Sequence, residues 1–456
     1  MRRPVVLLLA SIAALTVTAV PAQAKQRTIT KRFGPIGIGP YAVKYRTSRF
    51  PAPNVSGHVV RMHARVTDRR GRPLPVSRMM LHHLTFKDLG RPGRTRHDVT
   101  YCKGSLGERF YGTGEEDREL VFPPGYGYKV GRRDRWDANW MLMNHGARSD
   151  RAWIEYTVTI DDAPGITGVR SYWTGVVDGC GVDPIFDVPG TGPPGSVHRE
   201  EARWSVPISG RIIMAGGHIH GGGLNVELGQ PDCGDRALFT SHPLYGNDDH
   251  PYYNVLPNLH EPGPISSSLL TTTTGVPVRK GERLRISTEY DAEMMHVRAM
   301  GIMHVYIAPG PAPADPCAPL PPDITEAMQK DPAAGRLAPP KWIVPLTGLA
   351  RDGRAIEIER PPGAIERLEA PRTVTVDVTS PRFRLNNLDV PAGTTLRWRF
   401  DDELKHDITV ADGPYGFSSQ PLSGGRSYKR TLTEPGAYKL FCSLHPVAMT
   451  QRIDVR

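Results

Sequence analysis

The chain has 456 residues, of which 47 are glycine, 44 are proline and 5 are cysteine, and its formal net charge is +10. This glycine and proline content excludes a mostly helical protein, because glycine costs helix entropy and proline removes a backbone donor. A hydrophobic content of 39% excludes wholesale disorder. The positive charge is spread thinly, in short pieces such as Arg69-Arg70, so we expect no nucleic-acid partner.

The N-terminus is typical of a secretory signal peptide, which we predict over residues 1–24. Arg2 and Arg3 give the positive start, an apolar stretch runs from Val5 to Val20, and Ala22-Gln23-Ala24 fits the small-residue cleavage pattern. The apolar stretch is short for a membrane span, and no later stretch approaches one. We therefore expect a secreted or cell-envelope protein with no membrane span.

Short runs of alternating hydrophobicity, bounded by turn residues, predict strands before residue 309. They include Val59–Val66, Trp153–Ile160, Trp204–Met214, Leu284–Tyr290 and Ile302–Ile307. Such runs indicate antiparallel sandwiches, and about 280 residues is too many for one of them. We predict two tandem antiparallel β-sandwich domains, over residues 25–190 and 191–308, with GTGPPGS at 190–196 as the junction.

Residues 309–370 are rich in proline and alanine and predict a semi-rigid linker, in which Asp323–Lys330 can form a helical turn or two. Alternating runs return after the linker. They are Val374–Val378, Thr394–Phe400, Asp407–Val410, Tyr428–Leu432 and Gly436–Phe441. Residues 371–456 have the size of one small Greek-key sandwich, so the whole chain is predicted to be all-β.

Five cysteines are one too many for a set of disulfides. In an oxidising compartment Cys102, Cys180, Cys233 and Cys317 can form two, and the sequence alone permits three pairings. Proximity along the chain favours Cys102 with Cys180 and Cys233 with Cys317. Cys442, close to the C-terminus, is left over.

Around that cysteine lies a set of metal-binding residue types. Cys442, His445 and Met449 crowd into one segment after a predicted strand, and His406 precedes a different strand. One thiolate and two imidazoles, with a distant methionine, make a blue-copper electron-transfer site. Because these donors suit both Cu(I) and Cu(II), reorganisation on electron transfer is small.

Residues 371–456 resemble the cupredoxin family, which includes plastocyanin-like and amicyanin-like domains. The resemblance implies a Greek-key sandwich with one type I copper. In this sequence His406 matches the upstream histidine, Cys442 and His445 match the C-x-x-H pair, and Met449 matches the axial thioether.

The region before the linker contains two histidine pairs. His218 and His220 point to one face of a strand and can chelate one metal, with glycines on both sides giving the backbone room. Adjacent His82 and His83 point to opposite faces of a regular strand, so they can share a metal only at a bulge or strand end. Nine of the 16 histidines, among them His260, lie outside every predicted ligand set and are expected to be mostly surface or core residues.

The order of these motifs is similar to that in the copper type II ascorbate-dependent monooxygenases, the family of the peptidylglycine α-hydroxylating and dopamine β-monooxygenases. The pair His82-His83 is followed by Pro123–Val130, the segment Met143-Asn-His145-Gly, the His-x-His pair and a Met-rich strand. The resemblance spans residues 45–308. It implies two sandwich domains that each hold one copper across a solvent-filled cleft.

That resemblance also implies the ligands of up to two type II coppers. His82, His83 and His145 correspond to the copper that transfers electrons. His218, His220 and a methionine correspond to the copper that binds dioxygen. Met294 is the first choice because it lies in a Glu-Met pair before a final strand, and Met295 and Met300 remain open.

The leading hypothesis is therefore a secreted copper-dependent oxidoreductase, a monooxygenase-like unit with a fused blue-copper domain. It needs an external electron donor and a small-molecule or peptide substrate, neither of which the sequence identifies. The alternative is a non-catalytic copper-binding or electron-transfer envelope protein with a degenerate monooxygenase-like fold. A third is an extracellular adhesion or scaffold protein with structural histidines.

Overall fold

A computed structural model describes residues 26–97, 105–178, 180, 183–256 and 258–456. The predicted signal peptide and Cys102 lie outside the described residues. Among these residues, helix is limited to 3₁₀ turns at Pro231–Cys233 and Pro332–Ala334, and strands make up the rest of the regular structure. The all-β prediction is confirmed. No helix in the described ranges is long and apolar enough to cross a membrane.

The first sandwich is built from strands β1 to β11. They are β1 Arg27–Ile38, β2 Val43–Phe50, β3 Gly57–Thr67, β4 Met79–Asp88, β5 Gly90–Arg91, β6 Arg94–Thr95, β7 Glu108–Gly114, β8 Leu120–Val121, β9 Tyr126–Val130, β10 Trp136–Asn144 and β11 Asp150–Asp161. One face runs in the order β1-β11-β3-β9 and the other in the order β2-β10-β4-β7. Aromatic side chains such as Trp136, Phe86 and Tyr156 fill the space between them.

The second sandwich follows with strands β12 to β22. They are β12 Thr167–Gly175, β13 Phe186–Val188, β14 Val197–Ser205, β15 Gly210–Ile219, β16 Gly223–Gln230, β17 Arg236–Ser241, β18 Pro243–Gly246, β19 Ser266–Val278, β20 Arg283–Asp291, β21 His296–Ala299 and β22 Gly301–Pro309. β12 pairs with both β9 and β22, so one sheet continues from the first sandwich into the second along β9-β12-β22-β15-β19. The sheet β14-β20-β16-β17 covers the second core.

The proline-rich segment lies along the second sandwich. It carries β23 Thr325–Met328, β24 Gly335–Arg336, β25 Thr347–Leu349 and β26 Ala355–Glu357. The helical turn predicted for Asp323–Lys330 is wrong, because β23 is a strand that pairs with β19. The Asp323 carboxylate accepts hydrogen bonds from Thr272, Thr273 and Thr274 and so holds the segment extended beside β19. The predicted pair Cys233–Cys317 is a disulfide that ties the segment to β16 and β17.

The C-terminal unit is a third sandwich. Its strands are β27 Glu366–Arg367, β28 Thr373–Thr379, β29 Arg382–Phe383, β30 Asn387–Val390, β31 Thr394–Phe400, β32 Thr409–Asp412, β33 Arg426–Leu432, β34 Gly436–Phe441 and β35 Thr450–Val455. They form the sheets β27-β30-β35-β34-β32 and β29-β28-β31-β33. In β31 the alternate residues Leu396, Trp398 and Phe400 are buried, which is the period-two pattern on which the prediction rested.

Candidate metal centres

The C-terminal unit brings Cys442, His445 and His406 together at one end of its core. Cys442 directly follows β34, and the loop that carries His445 and Met449 returns the chain to β35. Three backbone hydrogen bonds fix this loop: Cys442 N–H to the Met449 carbonyl at 3.0 Å, His445 N–H to the Cys442 carbonyl at 2.9 Å, and Met449 N–H to the His445 carbonyl at 3.0 Å. The ligand loop, residues 442–449, is therefore rigidly folded around the predicted ligands.

The donor atoms of this site converge. The Cys442 Sγ atom lies 3.9 Å from His406 Nδ1 and 3.6 Å from His445 Nδ1. These separations suit one metal bonded to all three, because metal–sulfur and metal–nitrogen bonds are about 2.3 and 2.0 Å. Met449 is fully buried in the same core, and its axial role stays a prediction.

Hydrogen bonds around the ligands prepare them for a metal. Asp402 accepts from His406 Nε2 at 3.1 Å, which leaves the Nδ1 lone pair free to bind a metal. The backbone N–H of Asp407 donates to Cys442 Sγ at 3.4 Å. Burial, and then the charge of Asp407, raise the pKa of the Cys442 thiol. A stable thiolate there requires a cation, and a metal ion supplies one.

The His82-His83 pair lies at a β-bulge in β4. His83 pairs with Met141 of β10 and Leu81 pairs with Leu142, so His82 is the extra residue. The bulge turns both rings to the same side, with their Nδ1 atoms 3.4 Å apart. Adjacent histidines can share a metal only at a bulge or strand end, and the bulge meets this condition.

The His218-His220 pair lies at the end of β15, with ring centroids 5.2 Å apart. His218 Nδ1 is 3.0 Å from Glu116 Oε1, and His220 Nδ1 is 2.8 Å from the carbonyl of Arg298. Both rings are held through Nδ1, which leaves the Nε2 lone pair of each ring free to bind a metal. Gly217 is required here, because a Cβ would lie 2.7 Å from the Ser241 side chain.

The structure joins the two pairs into one group. The His82 ring centroid is 5.9 Å from that of His220 and 5.1 Å from that of His260. His82, His83, His218, His220 and His260, the histidine cluster, line one cavity of about 290 Å³.

Three members of this site carry no signal in the sequence, namely Glu115, Glu116 and His260. The adjacent glutamates directly follow β7 and are buried against the cavity. His260 was expected among the surface or core histidines, but its Nε2 atom lies 2.8 Å from Glu115 Oε1. A buried Glu-Glu pair beside a histidine is recognisable only once the strands are assembled.

His145 lies outside the cavity lining. It directly follows β10, is 6% exposed, and has no hydrogen-bond partner for either ring nitrogen among the described residues. Burial, and then neighbouring His260, lower the pKa of His145 to about 3. The ring is therefore neutral.

Burial keeps two members of the histidine cluster, His82 and His220, neutral. Burial, and then His260, lower the pKa of His82 well below its ordinary value, and burial with His218 lowers that of His220 to about 3. Burial opposes ionisation of Glu116, but His218 and then Arg118 bring its pKa down to about 2. Neutral imidazoles beside a carboxylate are the protonation states that bind a transition metal.

The candidate methionines separate by position. Met294, Met295 and Met300 line the cavity together with His218 and His220. Met295 also packs against the core of the C-terminal unit, whereas Met303 is buried in the second core. Met294, Met295 and Met300 remain the candidates for a thioether ligand.

The ligand loop docks onto the first sandwich close to the histidine cluster. Val447 packs with Met80, Met143 and Leu259, which neighbour His82, His145 and His260 in sequence. Ser443 and Phe441 line the same cavity as the histidine cluster. The two candidate metal centres therefore lie on either side of one interface.

Comparisons with known proteins match different parts of the chain. The family model described as Stress up-regulated Nod 19 matches residues 186–310. Amicyanin of Paracoccus denitrificans is 27% identical over 103 residues, which cover 22% of this chain and 77% of amicyanin.

Solved structures of amicyanin variants are also similar. A methionine-to-alanine variant with Cu(I) is 22% identical, with a TM-score of 0.18 over 18% of this chain and 82% of that chain. A proline-to-glycine variant in the reduced Cu(I) form at pH 4 is 23% identical, with a TM-score of 0.18 over 19% of this chain and 85% of that chain. The resemblance to copper monooxygenases stays a prediction, and the similarity to a known copper protein is to amicyanin, a cupredoxin.

Proposed function

We propose that this protein is an extracytoplasmic copper oxidoreductase. The C-terminal unit holds one type I copper through His406, Cys442 and His445, with Met449 as axial ligand. The histidine cluster holds a second copper centre, at which dioxygen is used in a monooxygenase-like reaction. The substrate is a small molecule or a peptide.

The donor set of the C-terminal unit supports copper. Thiolate and thioether favour Cu(I), imidazole suits both copper oxidation states, and magnesium or calcium would require oxygen ligands. When bound there, copper supplies one-electron transfer. The protein contributes the fixed loop, the Asp402 hydrogen bond that orients His406, and the Asp407 N–H that partners the Cys442 sulfur.

One observation carries the link between the two centres, and it is the position of Arg298. Its backbone carbonyl accepts a hydrogen bond from His220 Nδ1 at 2.8 Å. Its guanidinium lies 3.6 Å from the Asp407 carboxylate, and Asp407 N–H donates to Cys442 Sγ. A short chain of covalent bonds, hydrogen bonds and one ion pair therefore runs from a ligand of one candidate centre to a ligand of the other.

This connection matters because a monooxygenase needs electrons from outside. Insertion of one atom of dioxygen into a C–H bond, with release of the other as water, consumes two electrons and two protons. A fused electron carrier docked beside the oxygen-using site can supply those electrons one at a time.

The second candidate function is a non-catalytic electron carrier. The similarity to amicyanin favours this function, because that similarity covers 22% of this chain and therefore accounts for a single unit. In that case the histidine cluster only stores or buffers a metal.

Copper content, EPR and oxygen consumption on the purified mature chain distinguish the two. We expect one type I and at least one type II EPR signal. We also expect the reduced, copper-loaded protein to consume dioxygen. In His220→Asn we expect loss of oxygen consumption with the blue absorption retained, and His242→Asn, at an exposed histidine, is the matched control. A single copper with no type II signal, or no oxygen consumption by the fully loaded protein with candidate substrates, overturns the oxidoreductase proposal.

A further inference from the structure

Three side chains from distant parts of the sequence converge in the wall of the cavity. His82 comes from the bulge in β4, Glu115 from the turn after β7, and His260 from the segment before β19. One ligand atom from each lies within 4.8 Å of the other two. The ligand set that the monooxygenase resemblance implied contains His82 but neither Glu115 nor His260.

The Glu115 carboxylate is positioned to serve both histidines. Its Oε2 atom accepts a hydrogen bond from Gly263 N–H at 2.7 Å, which fixes the orientation of the group. Its Oε1 atom is 2.8 Å from His260 Nε2 and 3.7 Å from His82 Nε2. Glu115 is 7% exposed, so its carboxyl oxygens require partners within the protein.

The second nitrogen of His82 is already engaged. Its Nδ1 atom lies 3.4 Å from His83 Nδ1, and His83 Nε2 lies 3.0 Å from Asn139 Oδ1. This arrangement orients the His82 ring so that Nε2 faces Glu115. His83 therefore acts on the ring of His82 in the way that an outer hydrogen-bond partner orients a metal-bound histidine.

We propose that His82, Glu115 and His260 together bind one divalent first-row transition metal ion, which is copper under the proposed function. Two imidazole nitrogens and one carboxylate oxygen bind zinc, iron(II) or copper(II), and copper(II) binds most tightly to such a set. The three protein ligands leave further coordination positions open towards the cavity, where a small molecule can reach the ion.

His145 is excluded from this site by its position. It does not line the cavity, and it is not part of the group whose ligand atoms all lie within 4.8 Å of one another. The proposal thus replaces the set His82, His83 and His145 with His82, Glu115 and His260. It rests on the proposed function only in treating the histidine cluster as a metal centre.

The test compares metal content in variants of the full chain. Apoprotein is loaded with Cu(II) alone, or with Zn(II) alone, then passed through a desalting column, and bound metal is counted per chain. The C-terminal copper is counted separately by its blue absorption. The variants are Glu115→Gln, which keeps the size of the side chain, His260→Asn and His145→Asn, with His242→Asn as the neutral control.

We expect Glu115→Gln and His260→Asn to lose one metal equivalent and keep the blue band, and His145→Asn to keep both. Retention of the ion in Glu115→Gln and His260→Asn, with its loss in His145→Asn, overturns the assignment. If His260→Asn does not fold, X-ray absorption of the zinc-loaded native chain decides: a shell of two imidazoles and one carboxylate supports the proposal, and a shell of three imidazoles overturns it. If these variants remove an ion that never exchanges electrons with the blue copper, the proposed function is wrong and the metal site is still supported.

Discussion

The guanidinium of Arg298 lies 3.6 Å from the carboxylate of Asp407, across the interface between the second sandwich and the C-terminal unit. Asp407 is fully buried and accepts hydrogen bonds from Ser443 N–H at 2.8 Å and from Ser443 Oγ at 2.5 Å. Arg298 has a φ of +59°, a conformation that non-glycine residues seldom adopt. This unusual backbone conformation occurs at Arg298, the residue that contacts both candidate centres.

Removal of the Arg298 charge is expected to lower the reduction potential of the C-terminal copper. In Arg298→Asn the negative charge of Asp407 loses its cation beside the metal and stabilises the more positive, oxidised state. A tenfold change in the equilibrium between the two states corresponds to about 59 mV for one electron, and we expect a downward shift of that order. Spectroelectrochemical titration of the blue absorption measures it.

Two features of this experiment separate charge from backbone effects. Asparagine tolerates positive φ, so Arg298→Asn does not add backbone strain. Arg298→Lys keeps the charge and the φ requirement, and its potential is expected to stay close to that of the native chain. Equal potentials in all three proteins would show that Arg298 does not act on the copper electrostatically.

The C-terminal site could be proposed from the sequence because three of its four predicted ligands lie within eight residues. Cys442, His445 and Met449 share the loop after β34, so their spacing already encodes their convergence. The pair His218 and His220 was accessible for the same reason. For His82 and His83 the sequence set only a condition, a bulge or strand end, and the bulge opposite Met141 meets it.

The rest of the site depends on contacts between segments far apart in sequence. Nothing local to Glu115 or His260 shows that β7 and the segment before β19 meet at the bulge of β4. The docking of the C-terminal unit, through Val447 and Arg298, is likewise a property of assembled surfaces. The pairing of β23 with β19 also depends on a contact between distant segments. Three threonines of β19 donate hydrogen bonds to Asp323 and hold the segment extended, although its local sequence favours a turn.

A charge at Val447 is expected to loosen the C-terminal unit without damaging its metal site. Val447 is buried among Met80, Met143 and Leu259, so Val447→Glu places a carboxylate in an apolar contact that offers it no cation. Burial of a valine side chain contributes about 1.5–3 kcal/mol, which the contact loses. Hydrogen exchange of peptides from β4 and β10 is expected to rise while the blue band persists.

The matched control for this change is Leu404→Glu, on the same unit but at a residue that is 50% exposed. Its exchange pattern is expected to equal that of the native chain. Unchanged protection of β4 and β10 in Val447→Glu would show that the ligand loop does not hold the units together.

Cys442→Ser is expected to abolish the blue absorption while preserving metal binding in the histidine cluster. The intense colour requires the thiolate, and serine keeps an acceptor for the Asp407 N–H, so the fold around the site is retained. Absorption and EPR spectra of the copper-loaded variant provide the measurement. A type II signal without the type I signal is the expected result, and loss of both signals would mean that the centres do not load independently.

The disulfide Cys233–Cys317 is expected to stabilise the second sandwich mainly by restricting the unfolded chain. It closes a segment with a sequence separation of 84 residues, for which the stabilisation is about 2–5 kcal/mol. In the folded state Arg236 also donates to the carbonyls of Pro316, Cys317 and Ala318, so the proline-rich segment stays docked when the sulfurs are removed. Cys233→Ser/Cys317→Ser is therefore expected to unfold at lower denaturant concentration yet keep the native copper spectra. Reductant is expected to lower the denaturation midpoint of the native chain by more than that of the variant, which lacks this bond. An equal effect of reductant on both proteins would assign the stabilisation to something other than Cys233–Cys317.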